Sequence, residues 1–373
     1  MRASRLYQIA FILAIFFSIS HPASAQTAKP TPPPAPTPDE EVIKVDSRLV
    51  VVPVSVLDSS GQPVLGLKKE NFRILEENKA QVIEQVSDAE KVPLEIALLF
   101  DISASTDPMF KFEQETAAKF LKEVMRSGDH ATIFTIGERP TLVKARDSAE
   151  NAAEAIKSII PTKQFTAFYD AVAAASEFLR KAPPGTRRVV VVVSDGEDTN
   201  SVRIAKAIQD GYNKLGKKID TLDSKALYQL TVANRNQASI DERNRVVRSL
   251  QNADTVFYSI NPAGSSYQLN KISMFGQENM QKFAVETGGT AFLPRFSPTD
   301  LKDKMQNFTN MRKNTLVLEN IFQRLANELR AQYLVQYYSE AEFPVNKYVK
   351  LDVGVQNQPG FLIRARQGYF AKN

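Results

Sequence analysis

Oxygen-bearing side chains follow two of the most apolar stretches of the chain. Asp101, Ser103 and Ser105 come directly after one apolar run, and Asp195 follows a run of five valines and a serine. Thr166 lies between these two stretches in the sequence, in a third loop. Carboxylate and hydroxyl oxygens are the ligands that hard divalent cations such as Mg²⁺ prefer in proteins. These residues therefore predict one cation site that is built from three loops.

The two apolar runs, residues 96–100 and 189–193, predict two buried strands of a parallel sheet. A strand that is buried on both faces reads as an almost continuous apolar run, whereas a half-buried strand alternates. Ligand sites of open α/β sheets lie beyond the carboxyl ends of such strands. From Pro93 onward, strand-like and helix-like segments alternate, which predicts a doubly wound, mostly parallel sheet with helices on both faces.

Two β-rich segments flank this α/β part, over residues 42–92 and 332–373. Each is too short to bury a secure core alone, so we expect them to pair into one small β-sandwich with the α/β domain, residues 93–331, inserted between them. Helices are expected at 298–311 and 317–331. A polar segment at about 203–250 is longer than one crossover helix requires. We interpret it as a plain insertion, with a helical hairpin near the site as the alternative.

The amino terminus has the pattern of a secretory signal peptide over residues 1–25. Arg2 and Arg5 precede an apolar core, and a small-x-small triplet predicts cleavage after Ala25. The alternative is an uncleaved anchor, but the core is about a dozen residues and a membrane span needs about 20. Residues 26–41 are rich in proline and predict an extended linker. We therefore expect an exported protein, periplasmic or extracellular, without a membrane span once the signal is removed.

Composition excludes several kinds of chemistry. The chain has no cysteine, which removes disulfides, thiol catalysis and thiolate metal sites. It has two histidines, and one of them, His21, belongs to the predicted signal peptide. A Ser-His-Asp triad would have to use the other, His130. The net charge of +5 is small for this length and does not indicate a nucleic-acid partner.

The set Asp101-x-Ser103-x-Ser105, Thr166 and Asp195 resembles the metal-ion-dependent adhesion site of von Willebrand factor type A domains. The resemblance covers about residues 93–330. The flanks are similar to those of the VWFA-related acidobacterial-type family of exported bacterial proteins. The similar stretches are 52–56, 67–72, 332–338 and 364–370.

The resemblance implies that Ser103, Ser105 and Thr166 bind the metal directly and that Asp101 and Asp195 act largely through water. The implied cation is Mg²⁺, although Mn²⁺ and Ca²⁺ also take oxygen ligands. A site held mainly by neutral oxygens leaves the cation under-neutralised, so it attracts an Asp or Glu carboxylate of a protein partner. The expected function is therefore non-enzymatic adhesion or scaffolding; the sequence does not indicate the oligomeric state.

Two other functions remain open at this point. The sandwich could bind the partner while the α/β domain is structural or its metal site is degenerate, because Phe165 stands where the family often has glycine. The other alternative is a metal-dependent hydrolase, for which the sequence offers no convincing base. Phe165 and Phe168 could form an apolar wall for a partner. Glu197 and Asp198 are expected to be solvated turn carboxylates.

Overall fold

The computed structural model describes residues 48–103, 109–162, 165–262, 271–299, 301–356 and 360–372. None of the helices within these ranges is long and apolar enough to cross a membrane. The predicted signal peptide and linker lie outside the described residues.

The helices are α1 (Met109–Val124), α2 (Ala149–Lys157), α3 (Phe168–Arg180), α4 (Val202–Leu215), α5 (Ser224–Asn252), α6 (Lys271–Thr287) and α7 (Lys304–Arg330). The strands are β1 (Arg48–Leu57), β2 (Phe72–Glu76), β3 (Lys79–Ala80), β4 (Ile83–Asp88), β5 (Leu94–Asp101), β6 (His130–Ile136), β7 (Thr141–Asp147), β8 (Arg187–Val193), β9 (Thr255–Ile260), β10 (Ala291–Phe292), β11 (Tyr333–Ser339), β12 (Tyr348–Val355), β13 (Leu362–Ala365) and β14 (Gly368–Phe370).

The α/β part is a six-stranded sheet with the order β10-β9-β8-β5-β6-β7. All neighbouring strands run parallel except β7, which pairs with β6 in the antiparallel sense. Helices pack on both faces. The predicted doubly wound sheet is therefore confirmed.

The valine strand β8 lies in the middle of this sheet, between β5 and β9. Val189, Val191 and Val193 face the core under α1, α2 and α7, whereas Val190 and Val192 face the core under α3, α5 and α6. None of the five side chains is more than 1% exposed. Burying a valine contributes about 1.5–3 kcal/mol, so this strand fixes the sheet beneath both helical layers.

The two chain ends form a β-sandwich, as predicted. One sheet has the order β13-β1-β11-β4 and the other has the order β14-β12-β2-β3, so each sheet mixes strands from both ends. Val52, Val54, Ile74, Tyr337 and Leu351 lie in the core between them. This pairing confirms the insertion architecture, while the domain boundaries given above stay a prediction.

A buried ion pair joins the α/β part to the sandwich. Glu328 of α7 accepts a hydrogen bond from Arg364 of β13 at 2.9 Å, and its side chain is 5% exposed. Tyr258 of β9 donates to the same carboxylate at 3.3 Å and accepts from Gln332 at 3.1 Å. These contacts hold α7 against both the parallel sheet and the β13-β1-β11-β4 sheet of the sandwich.

Helix α7 replaces the two helices expected at 298–311 and 317–331. Its polar midpoint does not interrupt it, because Asn310 and Asn314 are buried and donate to carbonyls of the preceding segment at 2.7 and 2.8 Å. The two asparagines therefore bind the segment that precedes α7, and the helix continues through them.

The polar segment expected to be a plain insertion forms α4 and α5. The second half of α5 carries Ala238, Val246, Val247 and Leu250 into the core beside α3 and α6. The first half packs mainly against α4, where residues such as Tyr228 are exposed. The second half of α5 thus belongs to the crossover that connects β8 to β9. The first half of α5, together with the part of α4 that packs against it, forms the inserted part.

Candidate functional site

Three loops meet beyond the carboxyl ends of β5 and β8. The loop after β5 is tied to residue 162, whose backbone N–H donates to the carbonyl of Ile102 at 2.6 Å. The backbone of Thr166 accepts from the N–H groups of Thr199 and Asn200 at 2.9 and 3.0 Å, and its own N–H donates to the Thr199 hydroxyl at 2.9 Å. The Thr166 loop is therefore anchored to the segment that follows β8.

Asp101 holds the loop after β5 to the loop after β8. Its Oδ1 accepts from the hydroxyl of Ser103 at 2.6 Å and from the backbone N–H of Ser103 at 2.9 Å. Its Oδ2 accepts from the hydroxyl of Ser194 at 2.7 Å, and that hydroxyl in turn accepts from the N–H of Gly196 at 2.9 Å. Burial raises the pKa of Asp101, and the bonds from Ser103 and Ser194 oppose this rise.

Asp195 brings a second carboxylate to the same place. Its Oδ1 accepts from the backbone N–H of Glu197 at 3.0 Å. Burial, and next the charge of Asp101, raise the pKa of Asp195 to about 7. Within the described ranges, no lysine or arginine forms an ion pair with either aspartate. Two close carboxylates without a counter-ion cost free energy unless a cation or a proton neutralises them.

The predicted ligands thus fall into three groups. The structure brings Asp101, Ser103 and Asp195 together through direct bonds or through charge. Thr166 is 6% exposed, and the hydrogen bonds recorded for it among described residues are made by its backbone. Ser105 lies outside the described residues. The assignment of all five as metal ligands stays a prediction.

The donor set fits a hard divalent cation. The Ser103 hydroxyl donates a hydrogen bond to Asp101, which leaves the lone pairs of its oxygen free. Oδ2 of Asp195 accepts no hydrogen bond from another described residue. In the described part of the chain, no group of three or more His, Cys, Asp or Glu side chains could hold a metal. Any cation at this place would therefore depend on serine and threonine oxygens together with the two aspartates.

Two glycines allow the loop after β8 to touch helix α6. Gly196 has φ of +77°, and a Cβ there would lie 2.6 Å from the carbonyl oxygen of Gly276. A Cβ on Gly276 would lie 2.7 Å from the backbone of Gly196. The Ser273 hydroxyl of the same helix donates to the carboxylate of Glu197. Helix α6 therefore positions the segment that carries Asp195.

Asp198 differs from its expected role as a solvated turn carboxylate. It is 8% exposed, and its Oδ2 accepts from the N–H of Tyr169 at 3.0 Å in the first turn of α3. Its Oδ1 accepts from the N–H of Ser201 at 3.0 Å. Asp170 similarly accepts from the N–H of Val202 at 2.8 Å. These bonds brace α3 against α4, directly behind the Thr166 loop.

The two phenylalanines of the Thr166 loop have different environments. Phe165 is 62% exposed, whereas Phe168 is fully buried and stacks on Phe283 with the ring centroids 6.3 Å apart. Of the expected apolar wall, Phe165 alone is accessible to a partner.

Sequence reasoning missed Ser194, Thr199 and Gly276. Ser194 could have been found, because it is the first polar residue after a fully buried strand and stands beside Asp195. Gly276 carried the signal of an isolated glycine inside a helix, which often marks close packing. Thr199 carried no signal, since its bond to the Thr166 backbone depends on how the two loops fold.

Structural comparison finds several distantly similar proteins. BatB from Bacteroides thetaiotaomicron is 14% identical, with 59% of this chain and 99% of that chain covered and a TM-score of 0.35. The minor pilin PilB from Streptococcus sanguinis is 10% identical, with 67% and 64% covered and a TM-score of 0.41.

A third similar structure is the proximal thread matrix protein 1 of the mussel byssus, described with a zinc-occupied MIDAS motif. It is 15% identical, with 68% of this chain and 49% of that chain covered and a TM-score of 0.37. The present chain thus spans about half of the mussel protein's length. No curated protein matches the sequence.

Part of the sequence also matches a protein-family model. It is the model of the von Willebrand factor type A domain, and it matches residues 96–197, which run from β5 to the loop that carries Asp195. The α/β part of this chain therefore contains a von Willebrand factor type A domain.

Proposed function

We propose that the chain is an exported, non-enzymatic binding protein that captures a protein partner through a divalent cation. Ser103, Ser105 and Thr166 supply neutral oxygens, and Asp101 and Asp195 supply negative charge around the ion. When bound, the cation offers a coordination position to an Asp or Glu carboxylate of the partner. The cation is Mg²⁺, or Mn²⁺ or Ca²⁺ in its place.

The observation that carries this proposal is a pair of close carboxylates, Asp101 buried and Asp195 partly buried, beside hydroxyls that are already oriented. Asp101 fixes the Ser103 hydroxyl at 2.6 Å and reaches Ser194 at 2.7 Å, so both of its oxygens are used. Asp101 then acts by orienting neighbouring groups. Asp195 keeps one oxygen for a cation or for a water bound to it. A cation beside the two aspartates offsets the cost of holding both negative charges close together.

The exposed ring of Phe165 suits a role in partner selection. It precedes Thr166 directly and is 62% exposed. A partner carboxylate at the cation would bring the residues around it against this ring. An apolar contact of that size adds affinity without touching the metal.

A hydrolase is less well supported, because the geometry separates the sole histidine of the domain from the site. His130 begins β6, opposite Glu95 near the start of β5, whereas Asp101 ends β5. Strands of this length span about 20 Å. His130 therefore lies at the opposite end of the strands from Asp101, too far away to act as a base at the site.

Calorimetric titration of the purified chain with Mg²⁺, Mn²⁺ and Ca²⁺ tests the cation site. We expect one ion to bind, and we expect Asp101→Ala and Asp195→Asn to abolish its binding. Asp210→Asn is the matched control, because Asp210 is exposed on α4 and pairs with Lys206. Unchanged binding by Asp101→Ala and Asp195→Asn would contradict the assignment.

Capture of partners from the cell envelope separates the two non-enzymatic functions. If the cation bridges the partners, EDTA and Asp101→Ala both remove the captured protein, and Mg²⁺ restores it to the wild type alone. Capture that survives EDTA would favour binding by the sandwich instead.

A further inference from the structure

A cleft rich in arginine lies between the outer face of the sandwich sheet and the amino-terminal edge of the parallel sheet. Its volume is about 470 Å³, within the usual range of small-ligand sites. We call it the cationic cleft, after the charged residues that line it: Arg48, Arg187, Arg188, Arg366, Lys372 and Asp254.

Asp254, the carboxylate among the residues that line the cationic cleft, does not balance the positive charge of the cleft. Asp254 is shared by Arg366 and Lys372, each at 2.8 Å. Among the described residues, no carboxylate lies within ion-pair distance of Arg48, Arg187 or Arg188. Arg48, Arg187 and Arg188 therefore line the cleft without an ion-pair partner, and Asp129 and Glu90 act on Arg187 only at longer range.

The arginines are held in place by neutral acceptors. Arg187 donates to the carbonyls of Val92 and Leu329 at 3.3 and 2.8 Å. Arg188 donates to the carbonyls of Ala253 and Ala182 at 3.0 and 3.1 Å. Carbonyls fix the side chains but leave their charge in place, and burial lowers the pKa of Arg187 to about 10.

Unused donors accompany this charge. The Nε–H groups of Arg48, Arg188 and Arg366 are buried and make no hydrogen bond within the described structure. Arg366 as a whole is 8% exposed. Buried donors without partners are rare in folded proteins, and one explanation for them is an ion or ligand that completes the site.

An aromatic ring orders two of the arginines. The guanidinium groups of Arg48 and Arg366 lie 5.4 and 5.5 Å from the ring centre of Tyr369. Tyr369 is itself fixed, because its hydroxyl donates to the buried Glu76 at 2.6 Å. The cleft is therefore organised in advance, and it also offers apolar wall residues, among them Leu334.

We propose that the cationic cleft binds an oxyanion, a phosphate or carboxylate group carried by a small molecule or by a flexible polyanion. The planar guanidinium fork suits the paired oxygens of either group, and several arginines at one place favour multiply charged ligands. This site is independent of the cation site, because Arg187 begins β8 whereas Asp195 follows its other end. The two sites can be occupied at the same time.

Calorimetric titration in EDTA at constant ionic strength tests the proposal with pyrophosphate, citrate and a soluble polyphosphate as probes. We expect Arg48→Gln and Arg188→Gln each to weaken binding about tenfold, since each removes a charged donor. Arg180→Gln is the control, because Arg180 is exposed and pairs with Glu177 on α3. It should change affinity less than about twofold.

The pattern of probes identifies the source of the oxyanion. Binding of pyrophosphate or citrate indicates a small ligand, and binding of polyphosphate alone indicates a polymer. Arg48→Gln changes a residue of the first described strand at the cleft margin, so it remains informative if Arg188→Gln fails to fold. Equal weakening by Arg180→Gln, or no binding of any probe at about 10 mM, would overturn the proposal.

Discussion

Replacing Asp195 with asparagine measures the free-energy cost of ionising this carboxyl beside Asp101. Burial and the neighbouring Asp101 raise the pKa of Asp195 from 3.8 to about 7. Each pKa unit corresponds to about 1.36 kcal/mol, so ionised Asp195 costs the metal-free fold at most about 4 kcal/mol at high pH. Asparagine keeps the shape and removes the charge. We therefore expect Asp195→Asn to stabilise the metal-free protein at pH 8.

The pH dependence has a definite sign. Between pH 3.8 and about 7 the folded state keeps a proton on Asp195 that the unfolded state has lost. The free energy of unfolding therefore falls as pH rises through this window, and the penalty is complete above it. In EDTA the wild type should lose more stability between pH 5 and pH 8 than Asp195→Asn loses.

Urea denaturation in EDTA at these two pH values measures both effects. Adding Mg²⁺ at pH 8 should stabilise the wild type and leave Asp195→Asn unchanged, because a bound ligand stabilises only the state that binds it. Asp210→Asn serves as the control, because it changes a side chain of α4 that is 47% exposed and pairs with Lys206. If Asp195→Asn and the wild type had equal stability and equal pH dependence in EDTA, the account of two uncompensated carboxylates would be wrong.

Three further substitutions test parts of the same framework. Ser194→Ala removes the donor to Oδ2 of Asp101, and it should cost about 1–3 kcal/mol in urea denaturation and weaken cation binding in calorimetry. Gly276→Ala places a methyl group 2.7 Å from the neighbouring loop backbone, and it should cost about 1–3 kcal/mol by the same denaturation assay and lower cation affinity. Glu328→Gln leaves the charge of Arg364 without its partner, so we expect a loss of about 3 kcal/mol in thermal unfolding without a change in cation affinity.

Matched substitutions on exposed sites control for general damage. Ser158→Ala removes an exposed serine bond after α2, Met274→Ala truncates a side chain of α6 that is 51% exposed, and Glu177→Gln breaks an exposed pair. Each should change stability little. Cation affinity that falls equally in these variants, or a Gly276→Ala protein as stable as the wild type, would contradict the packing described for the site.

The sheet could be predicted from the sequence because its central strands carry little ambiguity. The valines of β8 leave no polar face, so only a position covered on both sides suits them. The sandwich was predictable by the same logic of burial, and even Pro53 fits: β1 pairs with β13 only from Val54 onward, so the proline lies where one side of the strand has no neighbour.

Long polar helices are harder to predict from the sequence, because polar residues usually indicate exposure to solvent. In α5 a polar, partly exposed half precedes a buried half, and an average over the helix hides the change. In α7, Asn310 and Asn314 are buried because they bind the carbonyls of another segment. Such bonds depend on tertiary structure and leave no local pattern.

The site could be predicted only in part for the same reason. The sequence indicated that Asp101 and Asp195 each follow a buried strand, and the adjacency of β5 and β8 in the sheet brings them together. It could not indicate that Asp198 turns inward to hold the start of α3, or that Phe168 is buried while Phe165 is exposed. Asp198 turns inward because it accepts hydrogen bonds from Tyr169 and Ser201, and Phe168 is buried because it packs against Phe283 of α6.

The interleaving of the chain ends in the sandwich has a consequence for biogenesis. Arg48 pairs with Ser339, and β2 pairs with β12, so the first strands of the described part of the chain find these neighbours only when its last strands have been synthesised. Until then the edges of β1 and β2 are open to wrong pairing with other chains. We therefore expect truncation near the carboxyl terminus to provoke aggregation even when the α/β part is intact.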